Sequence, residues 1–595
     1  MREYVTPPGV ELPTSGSLTD DLIAHASERP ESVLFARRTD DGWTDVTAAE
    51  FHTQVRDVAK GLLASGIEAG DRVAIMSRTR YEWTLLDYAI WYAGAVSVPV
   101  YETSTPEQTA WILEDSGARA IVVETSEHLS RIKEVRAELD DLHSVWSIDD
   151  NAIGVLTSLG ADVPDAQLDA RRAAVAPEDL ATLIYTSGTT GKPKGCMLTH
   201  GNFMAEVATA IPELHELFES PGASTLMFLP LGHVFARILQ VAAVRAGVRL
   251  GHTHDVAHLP SDLETFRPTF VLAVPRVFEK VFNTASLTAA IDGKGRTFDR
   301  AANVAIAYSR AVDTGRRSPA LRAQHALFDR LVYGRLRESL GGQCTYAVSG
   351  GAPLGERLGH FYRGIGIDIL EGYGLTETTG ALTVNLPGSA KIGSVGRPLP
   401  GCSVRVAEDG ELLVRGPQVM RGYWSNVAAS AQVLHDGWLT TGDVGEIDDE
   451  GYVTITGRKK EILVTAGGKN VAPSTLEARI RAHRLVDQCL VVGDGLPYIA
   501  ALVTIDRATF MVWVGRHNKQ GDVPDLVDDP DLRAEIQQAI DSANLAVSQA
   551  ESVRRFAILP DRWTEDGGQL TPSLKLRRTV VLRETRSAVE ALYAR

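Results

Sequence analysis

Short apolar runs recur through the first half of this chain, each separated from the next by a stretch with helical spacing. Residues 72–77 read as a buried strand, Tyr81–Tyr92 as an amphipathic helix, and Val96–Val100 as a second strand. A short helix near 107–115 leads to another apolar run at 120–124. Such alternation needs crossover connections, so it predicts mainly parallel sheet with helices on its faces. The pattern returns at 181–185, 225–229, 270–274 and 345–349, each run soon followed by Gly or Pro. Ligands of open α/β sheets bind beyond the carboxyl ends of strands. The polar, glycine-rich residues after these runs are therefore where chemistry is expected.

Residues 279–342 read as a polar, Arg- and Ala-rich helical insertion with no evident chemistry. After about residue 387 the texture changes to short strands and turns, with hairpin signals at 408–410 and 449–451. From residue 457 a β-β-α-β-β-like order suggests a separate α+β domain. Composition bounds the function. With 60 Lys+Arg against 76 Asp+Glu the net charge is -16, which argues against a nucleic-acid binder. The four cysteines lie far apart without a CxxC pair, so a zinc site or disulfide framework is not expected and a reducing cytosol fits. The N-terminus shows no apolar signal region, and the apolar stretch 89–100 is too short for a bilayer span. No stretch reads as a strongly basic amphipathic helix of the membrane-surface kind.

The densest signal is the run YTSGTTGKPKG at 185–195, directly after an apolar strand. Its glycines let amide N–H groups face an anion, its hydroxyls add donors, and Lys192 and Lys194 add positive charge. It is not a Walker A loop, which needs Gly where Thr186 stands and Ser or Thr where Pro193 stands. Polyphosphate binding is the expectation. This run resembles the phosphate-loop signature of the adenylate-forming superfamily, which includes acyl-CoA synthetases, luciferases and peptide-synthetase adenylation domains. The likeness runs in order from about His25 to Arg578, through SGGAP at 349–353, EGYGLTE at 371–377, TGD at 441–443, GRKKEILVTAGGKNVAP at 457–473 and LTPSLKLRR at 570–578.

The resemblance implies an α/β fold with a large N-terminal domain of several subdomains and parallel-rich sheets over 1–457. A small mobile α+β C-terminal domain would follow over 458–595. It implies that ATP and AMP are held by Thr186, Ser187, Gly188, Thr189, Thr190, Gly191 and Lys194 of the phosphate loop. Gly350, Gly351 and Ala352 would pack on adenine and Tyr373 would stack on it, with Glu371, Gly372 and Gly374 also among the ATP- and AMP-binding residues. Thr376 would donate to the α-phosphate, Glu377 with Thr186 would hold Mg2+, and Asp443 and Arg458 would take the ribose. Lys575 would bridge the carboxylate and the α-phosphate. Lys460 would be the hinge, with Gly467 and Gly468 lining a tunnel for coenzyme A. His233, in LPLGHVFAR, is the acyl-pocket candidate by motif position. His252, His254 and His258 lack HExxH spacing and are given no metal.

The implied activity is ligation of a long-chain fatty acid to coenzyme A through acyl-AMP, with release of pyrophosphate. The motifs are closest to the long-chain branch, and Lys rather than Asp at the hinge agrees with it. A fatty-acyl-AMP ligase that loads a carrier protein is weakened by the intact glycine-rich segment. A peptide-synthetase adenylation domain is weakened further, because no condensation or carrier module is read in the chain. A scaffold that had lost turnover should lack Glu377, Lys575 or the loop residues, and all are present. Expected partners are the fatty acid, ATP and coenzyme A, without nucleic acid. A fatty substrate also adds peripheral contact with lipid to the expectations for a cytoplasmic enzyme.

Overall fold

The structure, a computed structural model, describes residues 2–39, 42–186, 192–254, 258–565, 567–571 and 575–594. Its largest sheet has seven strands in the order Gly422–Tyr423, Lys194–Thr199, Leu180–Thr186, Val96–Val100, Arg72–Met76, Ala118–Val123 and Ser144–Ser147. Leu180–Thr186 and the four strands on its far side from Lys194–Thr199 run parallel, as the βα alternation predicts. Lys194–Thr199 pairs antiparallel with Gly422–Tyr423 on one side and with Leu180–Thr186 on the other, the latter pair flanking the phosphate-loop segment. Lys194–Thr199 enters the helix His200–Glu213 through a capping box, in which Thr199 and Asn202 satisfy each other's backbone N–H.

The helix Tyr81–Tyr92 departs from expectation. It is buried at every position but the half-buried Glu82, so it has no solvent face. It lies between the sheet and the helix Ala48–Ala64, and a helix covered on both sides can be apolar all round. Trp83 and Trp91 are among the largest fully buried side chains of the molecule.

A second sheet orders Phe270–Ala273, Tyr346–Ser349, Asp368–Leu375, Gly380–Val384 and Arg397–Pro398. A four-stranded sheet and a six-stranded antiparallel sheet complete the N-terminal part, whose apolar residues form one large core and a smaller satellite. The expected turns at 408–410 and 449–451 join antiparallel strands of the six-stranded sheet. Beyond Arg458, a hairpin of two-residue strands precedes the helix Pro473–Arg481 and the pair Val486–Val492 with Ile499–Ile505. The sequence pattern missed the third strand, Val553–Ile558, which returns after three helices to pair parallel with Ile499–Ile505. This C-terminal sheet has apolar clusters of its own.

Candidate active site

Three strand ends converge at the site. Thr186 closes Leu180–Thr186 and lies opposite Lys194 in the antiparallel register. Ser187, Gly188, Thr189, Thr190 and Gly191 lie outside the described residues. Thr186 Oγ1 is 3.9 Å from the Sγ of Cys196, a fully buried thiol pushed well above its usual pKa by burial and then by the neighbouring Glu377. Thr186 and Glu377 therefore flank one sulfur. The Glu377 carboxylate is oriented by the Tyr423 hydroxyl, which donates to Oε1 at 2.8 Å, and Lys194 Nζ lies 5.1 Å from the centroid of that Tyr423 ring. A carboxylate and a hydroxyl beside each other form an oxygen-only donor pair, which fits a hard divalent cation such as Mg2+.

Glu377 belongs to the 3-10 turn Thr376–Thr378. Thr378 Oγ1 caps it by accepting from Leu375 N–H at 2.8 Å, and Thr379 follows in the left-handed region at φ 60. That conformation is unfavourable for a β-branched residue. Thr379 is held in it by burial and by a 2.7 Å hydrogen bond from its hydroxyl to the Gln418 carbonyl.

The glycines around this turn have different tasks. A Cβ on Gly374 would lie 1.6 Å from the Gly380 carbonyl oxygen, and one on Gly372 would lie 3.2 Å from that of Thr383. Both positions let the strands pair closely. A Cβ on Gly350 would meet the Phe235 ring at 3.2 Å. Gly351 and Ala352 are exposed. Glu371 is buried, its carboxyl is pushed up to about 7 by that burial, and Oε1 accepts from Leu354 N–H at 2.9 Å. It thus orients the Gly351–Leu354 turn.

Tyr373 and Asp443 are brought together: the Tyr373 hydroxyl donates to Asp443 Oδ2 at 2.7 Å. Arg458 Nε pairs with Oδ1 at 2.9 Å. Each carboxylate oxygen keeps a second lone pair, so Asp443 can still accept from a diol. Burial raises the Asp443 carboxyl, and Arg458 opposes that rise.

Lys575 arrives from the C-terminal part of the chain. A Cβ on Gly351 would lie 3.9 Å from its Cε and 4.0 Å from its Nζ. The surrounding protein mass and then Arg458 lower its pKa, while Asp443 and Glu461 work in the opposite direction. His233 caps the helix Val234–Ala246, its Nδ1 accepting from Phe235 N–H at 3.3 Å. Burial, then the Lys575 ammonium, pull His233 down to about 4, so it is neutral at pH 7.

Two expected groups are not brought to this cluster. Lys460 lies on the exposed 3-10 turn Lys459–Glu461, directly after Arg458. Gly467 and Gly468 lie exposed on the hairpin between Leu463–Val464 and Asn470–Val471. A Cβ on Gly467 would touch only Thr465 among the described residues, and one on Gly468 would meet nothing.

Sequence reasoning missed Tyr423 and Cys196, although Cys196 immediately follows the phosphate-loop run. It also missed the docking of the C-terminal part on the N-terminal part. Arg276 donates to the Asp487 carbonyl at 3.0 Å and pairs with its carboxylate, which Arg562 Nε also holds at 3.1 Å. Arg516 donates to the Ala290 carbonyl at 2.9 Å.

The model of the AMP-binding enzyme family matches residues 22–424, and that of the AMP-binding enzyme C-terminal domain matches 460–595. Long-chain-fatty-acid–CoA ligase FadD15 of Mycobacterium bovis is 50% identical over 598 residues, covering 100% of both chains. Its namesake in Mycobacterium tuberculosis is 50% identical with the same coverage. The crystal structure of the anthranilate CoA ligase AuaEII with anthranoyl-AMP superposes with a TM-score of 0.74 at 20% identity, covering 98% of this chain and 99% of that one. The paired family matches, the full-length relatives and the shared architecture agree, and the chain belongs to the AMP-binding, adenylate-forming enzymes.

Proposed function

We propose that this chain is an AMP-forming long-chain fatty-acid–CoA ligase. The observation that carries the reading is Lys575, reaching from the C-terminal domain to the Gly350–Ala352 turn beside Asp443, Arg458 and His233. A carboxylate oxygen attacks the α-phosphorus of ATP and pyrophosphate leaves. The thiol sulfur of coenzyme A then attacks the acyl carbonyl carbon and AMP leaves. Both partners in the first step are anionic, so fixed positive charge at the reacting centre is the main requirement. The compact Lys575 ammonium supplies it between carboxylate and α-phosphate.

Glu377 and Thr186 would hold Mg2+, which lowers the charge of the triphosphate when bound. Lys194 and Thr376 serve the phosphates, Asp443 and Arg458 the ribose, and Gly350–Ala352 with Tyr373 the base. His233, neutral at the N-terminus of its helix, borders the acyl carboxylate. We place the domain division at 457/458, supported by the strand end at Arg458 and the turn that follows. Lys460 is the pivot about which the C-terminal domain would turn Gly467 and Gly468 toward the thiol. Hinge motion of this kind is absorbed by a few residues at element ends.

No helix among the described residues is long and apolar enough to cross a membrane. Four buried free thiols suit a cytoplasmic enzyme, and its substrate class suits one that meets lipid at a membrane surface. The test is product analysis of purified protein with MgATP and palmitate, with and without coenzyme A. Palmitoyl-CoA and AMP are expected together. Palmitoyl-AMP that accumulates despite coenzyme A would replace this reading with carrier loading.

A further inference from the structure

The helical insertion after Phe270–Ala273 ends in a rod that the chemistry above does not use. Pro319–Phe328, a π-helical turn Asp329–Tyr333 and Gly334–Glu338 run on as one helical unit. Its inner side is fastened to the body. Phe328, Tyr333 and Leu336 are buried, Tyr333 Oη donates to the Ala301 carbonyl at 2.8 Å, and His325 Nε2 meets the Gly364 carbonyl at 2.6 Å.

Its outer side carries two kinds of residue that rarely share a surface without a partner. Leu327 and Leu331 are 56% and 57% exposed. Arg322, Arg330 and Arg335 are exposed and form no ion pair with any described residue, as is true of Arg316 in the loop that leads into the rod. The unit 319–338 holds four arginines, of which Arg337 pairs with Asp329, and two acidic residues, Asp329 and Glu338, in a chain whose net charge is -16. The π-turn resets the 3.6-residue period. No single helical wheel therefore shows the stripe, which is why the sequence alone gave no basic amphipathic helix.

Arginines alone would suit any polyanion. Leucines one turn apart among them suit an anionic surface with an apolar interior, where guanidinium groups meet phosphates and the leucines enter the headgroup boundary. We propose that this face docks the enzyme on a bilayer rich in anionic lipid. The inference rests on the ligase reading only for the reason to be there, since a long-chain acid partitions into that bilayer.

The test is flotation of the full-length protein with vesicles of phosphatidylcholine, alone or with about one-third phosphatidylglycerol, at about 0.1 M and about 1 M salt. Binding is expected to the anionic vesicles only, and to be lost at high salt. Arg330→Gln with Arg335→Gln should weaken it roughly 25-fold, about fivefold per charge. Leu327→Ser with Leu331→Ser should weaken it about tenfold or more. Arg583→Gln, an exposed charge elsewhere, should leave binding unchanged. All variants should make acyl-CoA from detergent-dispersed palmitate at the wild-type rate.

Absence of binding to anionic vesicles would overturn the proposal, as would wild-type binding by both double variants. Tight binding to an RNA homopolymer that the leucine changes leave untouched would overturn it in favour of a polyanion. Flotation needs no substrate, so its outcome is separable from that of the ligase assay.

Discussion

Lys575 keeps contact with solvent, yet the protein around it and Arg458 lower its pKa. Bridging two anions needs the ammonium form. The alkaline limb of the adenylation rate should therefore fall below the usual lysine value of 10.5, a shift that a pH profile of pyrophosphate exchange into ATP would show. Lys575→Ala should cut that exchange by about 10²–10³-fold, in line with loss of one transition-state donor, and leave ATP binding nearly intact. Glu206 makes a second prediction. It is fully buried beside Gly380, and burial pushes its carboxyl up to about 8. Its folded pKa lies above the unfolded value of 4.5, so between those values the folded protein holds a proton that the unfolded chain releases. Stability should fall as pH rises through that window, and Glu206→Gln should flatten a series of melting curves from pH 5 to pH 8. Lys575 and Glu377 were legible because their surroundings form contiguous motifs. Tyr423 was not, because its only sequence signal is an aromatic pair after a glycine, far from the turn it serves.

Among the elements, the helix Val234–Ala246 is tied to the phosphate-loop strand by a wholly buried network. Arg237 donates to both Asp87 oxygens at 2.5 and 2.7 Å and to Thr182 of Leu180–Thr186 at 2.5 Å, with Trp83 and Trp91 facing its guanidinium at 5.4 and 5.5 Å. Stability does not require such a pair, since apolar replacement of both partners is often neutral or better, while removing one costs about 3–5 kcal/mol. Arg237→Met alone should therefore be strongly destabilised. Arg237→Met with Asp87→Leu should recover stability but adenylate at least tenfold more slowly at unchanged KM for ATP, if the network registers His233 against the loop. A fully active double variant would leave it a packing role. The strands around this network were legible as apolar runs and the helix Tyr81–Tyr92 from its helical spacing, whereas the helix Val234–Ala246 was not read. The burial of Tyr81–Tyr92 on all sides was not, since that depends on a helix that precedes it and a sheet that closes later. Nor did spacing show that Gly374 answers to the Gly380 carbonyl, a contact made only once the strands pair.

On the scale of the whole molecule, the structure holds Lys575 at the site while Gly467 and Gly468 stand clear of it. Gly467→Leu should then spare adenylation and slow thioester formation about tenfold or more. Quenched-flow separation of acyl-AMP from acyl-CoA would check this, and equal slowing of both steps would refute it. The two-part architecture was legible from the β-β-α-β-β-like order that begins near residue 457, whereas the docking contacts were not, because Arg276 and Asp487 are remote in sequence and belong to no motif. Arg276→Gln should loosen the docked arrangement and lower the adenylation rate severalfold, more at low salt than at high salt, where the wild-type pair is itself screened. Asp487 is 2% exposed and is held from both sides, by Arg276 across the domain boundary and by Arg562 from its own domain. If the domain turns away, only the first of these leaves. The departing carboxylate keeps its own counterion, so undocking strands no buried charge and the joint can disengage like a clutch.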